Sequence, residues 1–99
     1  MGQDSEAEQV IMSVKTLHVE LVAADQAVWS GEAKMVVAKT VEGEIGLLPG
    51  HEPMLAILGA GEVRITLEDG NVIKANAEDG FLSVENNVVA VVARNASLV

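Results

Sequence analysis

Residues 42–53 read Glu-Gly-Glu-Ile-Gly-Leu-Leu-Pro-Gly-His-Glu-Pro, and most of the chain's candidate chemistry lies there. The stretch holds three carboxylates (Glu42, Glu44, Glu52), the imidazole of His51 and three glycines. Paired carboxylates perform acid–base work only inside a pocket that drives their pKa values apart. A segment rich in glycine and proline predicts an exposed loop and no such pocket. Gly43, Gly46 and Gly50 do not form a phosphate cradle, because no Gly-Lys-Ser/Thr follows and no helix opens there. His51 alone reads as a turn histidine, and His18 as a solvated residue on a polar face. The two histidines lie far apart without spaced acidic ligands, so no metal site is expected. With no cysteine, disulfides, thiolate catalysis and cysteine zinc sites are excluded. No catalytic, cofactor-binding or metal-binding residue is assigned.

The elements that must carry this loop are strands. Leu17, Val19, Leu21 and Ala23 alternate with Thr16, His18 and Glu20, the period of a half-buried strand. Asp25 and Gln26 mark a turn before a short strand from Ala27 to Ser30. Residues 33–41 alternate imperfectly, which predicts a strand with both faces partly covered. A short strand is expected around Ile45–Leu48 and another over Met54–Leu58, the latter ending at Gly59 and Gly61. Val63, Ile65 and Leu67 form an inward set opposed by Glu62, Arg64, Thr66 and Glu68. Asp69-Gly70 predicts a two-residue hairpin with both central residues at positive φ, returning over residues 71–77. Phe81–Glu85 and Val88–Ala93 form a second hairpin at Asn86-Asn87, where Asn tolerates the left-handed conformation. No stretch sustains a helical period, and strands at this spacing predict a sandwich or barrel.

Composition narrows the function classes. The 99 residues suit one domain with a core of Val, Ala, Leu and Ile, as only one Trp and one Phe are present. Fifteen acidic residues against six basic ones give a formal net charge of −9. That surplus repels phosphate backbones and anionic lipid, so neither nucleic acid nor direct lipid insertion is expected. The scarcity of aromatics also removes a base-stacking platform. Residues 1–13 are polar and acidic at their start and read as a disordered extension or an added remnant. Residues 14–99 read as the folded domain.

The 42–53 segment closely resembles the signature of the epsilon subunit of F-type ATP synthases, Glu-Gly-Glu-Ile-Gly-hydrophobic-Leu-Pro-Gly-His followed by Pro. Val28-Trp29-Ser30-Gly31, Gly61-Glu62-Val63-Arg64-Ile65, Gly80-Phe81-Leu82-Ser83-Val84 and Val92-Ala93-Arg94-Asn95-Ala96 resemble further segments of that family in order and spacing. Together they span residues 16–96. Where the family usually has Gly-Gly before Phe-Leu, this chain has Asp79-Gly80, which predicts an Asp at positive φ within an unchanged fold. The family's C-terminal helical hairpin has no counterpart here, so inhibition of hydrolysis and ATP binding are not carried over.

The resemblance implies an all-β fold, a flattened antiparallel β-sandwich of short strands without a C-terminal helical domain. It implies a non-catalytic rotor subunit of the central stalk, linking gamma to the membrane c-ring and supporting the coupling of proton flow to ATP synthesis. The corresponding location is peripheral, on the cytoplasmic face of the bacterial plasma membrane. By the same resemblance, Glu44 and His51, flanked by Glu42 and Glu52, face the polar loops of the c-ring. Met54, Leu55 and Ala56 match a stretch near gamma. Two competing readings stand beside it. A lipoyl- or biotinyl-carrier domain is also small, acidic and all-β, and Ala33-Lys34-Met35 superficially resembles its modified-lysine motif. Against that, Lys34 is expected inside a strand. A cupin-type enzyme would need a cluster of metal ligands.

Overall fold

A computed structural model describes residues 16–24 and 26–99. The expectation for residues 1–13 lies outside the described residues. Seven strands follow one another: β1 (Leu17–Ala23), β2 (Gln26–Ala33), β3 (Met35–Thr40), β4 (Gly43–Leu47), β5 (Met54–Thr66), β6 (Val72–Glu85) and β7 (Val88–Leu98). They form one continuous sheet in the order β2-β1-β7-β6-β5-β3-β4. Every neighbouring pair is antiparallel except β1 and β7, which run parallel. Those two strands come from opposite ends of the chain, so no tight turn dictates their relative direction.

The sheet folds over along a line crossing β5, β6 and β7. Along β6 the buried residues are Ala75 and Ala77, then Leu82 and Val84, so the alternation loses step between them. β5 does the same between Leu58 and Val63. At this line Asp79 takes φ 58°, the positive value expected for it. Beside it, a Cβ on Gly80 would collide with the backbone of Val92 and Ala93, so only glycine fits the close approach of β6 to β7. Both halves of the folded sheet then contribute to one apolar cluster, with Leu17, Leu21, Leu82 and Val91 on one side and Val36, Leu47, Val63 and Ile65 on the other. Burying each such side chain stabilises the fold by roughly 1.5–3 kcal/mol.

Several expectations are corrected in detail. Met54–Leu58 and residues 62–66 belong to one strand, whose pairing with β6 skips Gly59 and Ala60 and resumes at Gly61. β2 runs through Gly31 to Ala33, with Gln26 paired to Ala23 and not placed in a turn. The hairpin at Asp69-Gly70 has a three-residue loop. Gly70 N–H donates to the Leu67 carbonyl (3.0 Å) and Leu67 N–H to that of Asn71 (2.8 Å). Only Gly70 is at positive φ, 93°, the pattern of a type I turn closed by a glycine bulge. Asn86 and Asn87, at φ 52° and 62°, do form the two-residue turn expected of them.

Candidate functional site

The turn between β3 and β4 is tied by a half-hidden hydroxyl. Thr40 Oγ1 donates to the Gly43 carbonyl (2.7 Å) and accepts from the Glu42 backbone N–H (3.1 Å). Glu42 is thereby held at the mouth of a groove of about 180 Å³ that also receives Val41, Ile45, Met54, Leu55, Ala56 and Ile57. The groove joins one predicted ring-facing carboxylate, Glu42, to all three residues predicted to face gamma.

Glu44 lies elsewhere, on edge strand β4. Its Oε2 accepts from Arg64 Nη2 at 3.0 Å, across the intervening β3. Arg64 Nε stands 3.7 Å from Glu62 Oε1, so one guanidinium serves two carboxylates on the outer face. This partner was not legible beforehand. Alternation places Arg64 outward, but nothing in its spacing points to a residue on a strand two places away.

His51 and Glu52 belong to the connection between β4 and β5. His51 N–H donates to the Leu48 carbonyl (3.2 Å), Pro49 supplies a fixed φ and Gly50 has φ 90°. These are the marks of a type II turn. The His51 ring donates from Nδ1 to the Glu52 carbonyl at 2.8 Å. Gly50 N–H reaches out of the turn to Asn87 Oδ1, 2.7 Å away.

His18 is engaged, which corrects the expectation of a merely solvated residue. Nδ1 meets Glu32 Oε2 at 2.9 Å and Nε2 meets Glu20 Oε2 at 3.2 Å, while Thr16 Oγ1 donates to Glu32 Oε1 at 2.8 Å. The hydrogen bond to Glu32, then that to Glu20, raises the His18 pKa. The same bond to His18, then that from Thr16, lowers the Glu32 pKa. No group of three His, Cys, Asp or Glu side chains among the described residues is arranged to hold a metal. Lys34 sits in the one-residue break where the chain crosses from β2 to β3, its N–H bonded to the Thr66 carbonyl (2.8 Å). It is not at a hairpin tip, which leaves the carrier-domain reading without its geometric premise.

Apolar surface remains uncovered on the half of the sheet that carries β1. Ile57, Phe81, Val92 and Val22 are successive ladder neighbours across β5, β6, β7 and β1. Leu55 (67 % exposed), Ile57 (56 %) and Phe81 (40 %) leave large side chains open to solvent. Because Leu55 and Ile57 also line the groove, row and groove form one continuous exterior. Strand alternation alone does not reveal this row, since it treats the outward set of a strand as polar.

Residues 16–99 match the sequence model of the family described as ATP synthase, Delta/Epsilon chain, beta-sandwich domain. The chain belongs to this family. It is 50% identical over 82 residues to the ATP synthase epsilon chain of Streptomyces avermitilis, an alignment covering 83% of this chain and 66% of that relative. It therefore spans just under two thirds of the Streptomyces protein. With the ATP synthase epsilon chain of Micrococcus luteus the identity is also 50% over 82 residues, covering 90% of the relative. Among solved structures, a chain of the Euglena gracilis mitochondrial ATP synthase superposes with a TM-score of 0.81 at 24% identity, over 85% of this chain and 54% of that one. A chain from the central stalk and c-ring structure of the Tetrahymena thermophila enzyme gives 0.66 at 19% identity, over 81% and 64%. The structural matches carry the fold, and the epsilon-family β-sandwich is that fold.

Proposed function

We propose that this chain is a non-catalytic rotor subunit of an F-type ATP synthase, linking gamma to the c-ring and supporting the coupling of proton flow to ATP synthesis. It works peripherally, on the cytoplasmic face of a bacterial plasma membrane. Family membership supports the reading. The observation that carries it is the continuous exterior formed by the groove at Glu42 and Met54–Ala56 and the apolar row through Ile57 and Phe81. Exposed apolar surface of this kind marks an interaction site. Met54, Leu55 and Ala56 face gamma in this reading. Glu44 and His51, with Glu42 and Glu52, face the ring loops, where a carboxylate can form a charge-assisted pair with arginine. The two prolines stiffen the loop and reduce the entropy lost on docking.

A pull-down with tagged chain from native membranes tests the proposal, with recovery of both gamma and c subunits expected. Recovery of neither would sink it.

A further inference from the structure

We infer that Asn87 is the positioning residue of the partner-facing loop, holding the Leu48–His51 turn in the single orientation that docks. The inference rests on the rotor reading above. Type I and type II turns differ chiefly in the direction of the central peptide, and Pro-Gly accommodates either. Here the central peptide joins Pro49 to Gly50, and its N–H points out of the turn with no partner inside it. Asn87 Oδ1 accepts that N–H at 2.7 Å from 37 residues away. Turning the peptide over would break this bond, so Asn87 selects type II and with it the side of the turn on which the Pro49 carbonyl and the Gly50 N–H lie.

Asn87 is itself held from two sides. Its φ of 62° places it in the tight β6–β7 turn, and its carbonyl accepts the His18 N–H at 2.8 Å. The anchor is therefore fixed to β1, β6 and β7, all rigid parts of the sandwich, and the loop inherits its position from them. A loop that populates its docking conformation only partly binds more weakly by that fraction. The amide of Asn87 raises that fraction.

The test uses the whole chain and two substitutions. Asn87→Gly keeps the positive φ and removes the acceptor. Asn87→Asp keeps both the left-handed tolerance and an acceptor oxygen. Amide hydrogen exchange at Gly50 is read in the free protein. Affinity is read against a gamma–c-ring subcomplex from an epsilon-depleted bacterial ATP synthase. For Asn87→Gly we expect faster Gly50 exchange and weaker binding, each by roughly two- to twelvefold, the factor one ordinary hydrogen bond represents. Asn87→Asp should restore both. A merely structural role would lower the melting temperature without separating glycine from aspartate. Unchanged Gly50 exchange in Asn87→Gly overturns the inference, as does faster exchange with unchanged binding. Wild-type chain that fails to bind the subcomplex overturns the rotor reading instead, and the exchange measurement still shows whether Asn87 sets the turn.

Discussion

Arg64 on β5 reaches over β3 to the edge strand and donates from Nη2 to Glu44 Oε2 at 3.0 Å. Both side chains are around half exposed, so the pair is a surface ion pair worth about 0.2–1 kcal/mol to stability. A double-mutant cycle of Glu44→Ala and Arg64→Ala, followed by urea unfolding, should return a coupling in that range that shrinks with salt. In the complex, removing Glu44 and His51 together should impair assembly or coupled proton pumping while folding stability falls by no more than about 1 kcal/mol, the upper value of the lost surface ion pair. Unfolding of this double variant, or normal assembly and pumping, would contradict the assigned role of the segment.

The His18 cluster gives stability a pH dependence of definite sign. His18 has its pKa raised above its ordinary 6.5, so its contribution is fully present below 6.5 and is lost as pH rises through the folded value. Glu32 has its pKa lowered from its ordinary 4.5, so its contribution is present above 4.5 and is lost as pH falls through the folded value. The bond between them therefore helps most between these limits. Glu32→Gln should lower the His18 pKa in an NMR titration, lower the melting temperature inside that window and flatten its fall on either side of it. An unmoved His18 titration would show that the bond does not form in solution.

The fold line predicts opposite outcomes for adjacent residues. Gly80→Ala drives a methyl into the backbone of Val92 and Ala93, which cannot yield without opening β6 from β7. Destabilisation should exceed about 3 kcal/mol, the range of strong backbone and overpacking effects. Asp79→Gly relieves a positive φ of 58° and should be neutral or stabilise the domain by up to about 1 kcal/mol. Chemical denaturation of the two variants side by side checks both signs.

Much of this architecture was readable from local signals. Asn86-Asn87 announced its turn because only a few residues tolerate two successive positive φ values. Asp79 was identified because it replaces a glycine in an otherwise matching motif. What stayed hidden depends on distant pairing. Nothing near Asn87 indicates that its side chain serves Gly50, and nothing near Glu32 indicates that it closes on His18 across β1 and β2. The Gly59–Gly61 stretch looked like a strand end because glycine also marks breaks, and only the ladder to β6 shows that pairing resumes at Gly61. The Ile57–Phe81 row escaped because its members fall on separate strands and meet only through the register.

The contrast between two isoleucines on one strand tests the division of labour between core and exterior. Ile65 is fully buried in the shared core, whereas Ile57 is 56 % exposed beside Phe81 and the groove. Ile65→Asp places a carboxylate among apolar side chains with no partner, and the domain should lose its β-type circular dichroism. Ile57→Asp leaves the charge largely in water, so the domain should stay folded, with a loss of about 1–2 kcal/mol from the poorer strand former and the apolar area given up. Its effect should fall on association, because the added charge interrupts the apolar row, and gamma should drop out of the pull-down. An Ile57→Asp chain that recovers gamma as well as wild type would remove this row from the proposed interface and leave the groove at Glu42 and Met54–Ala56 to carry the contact alone.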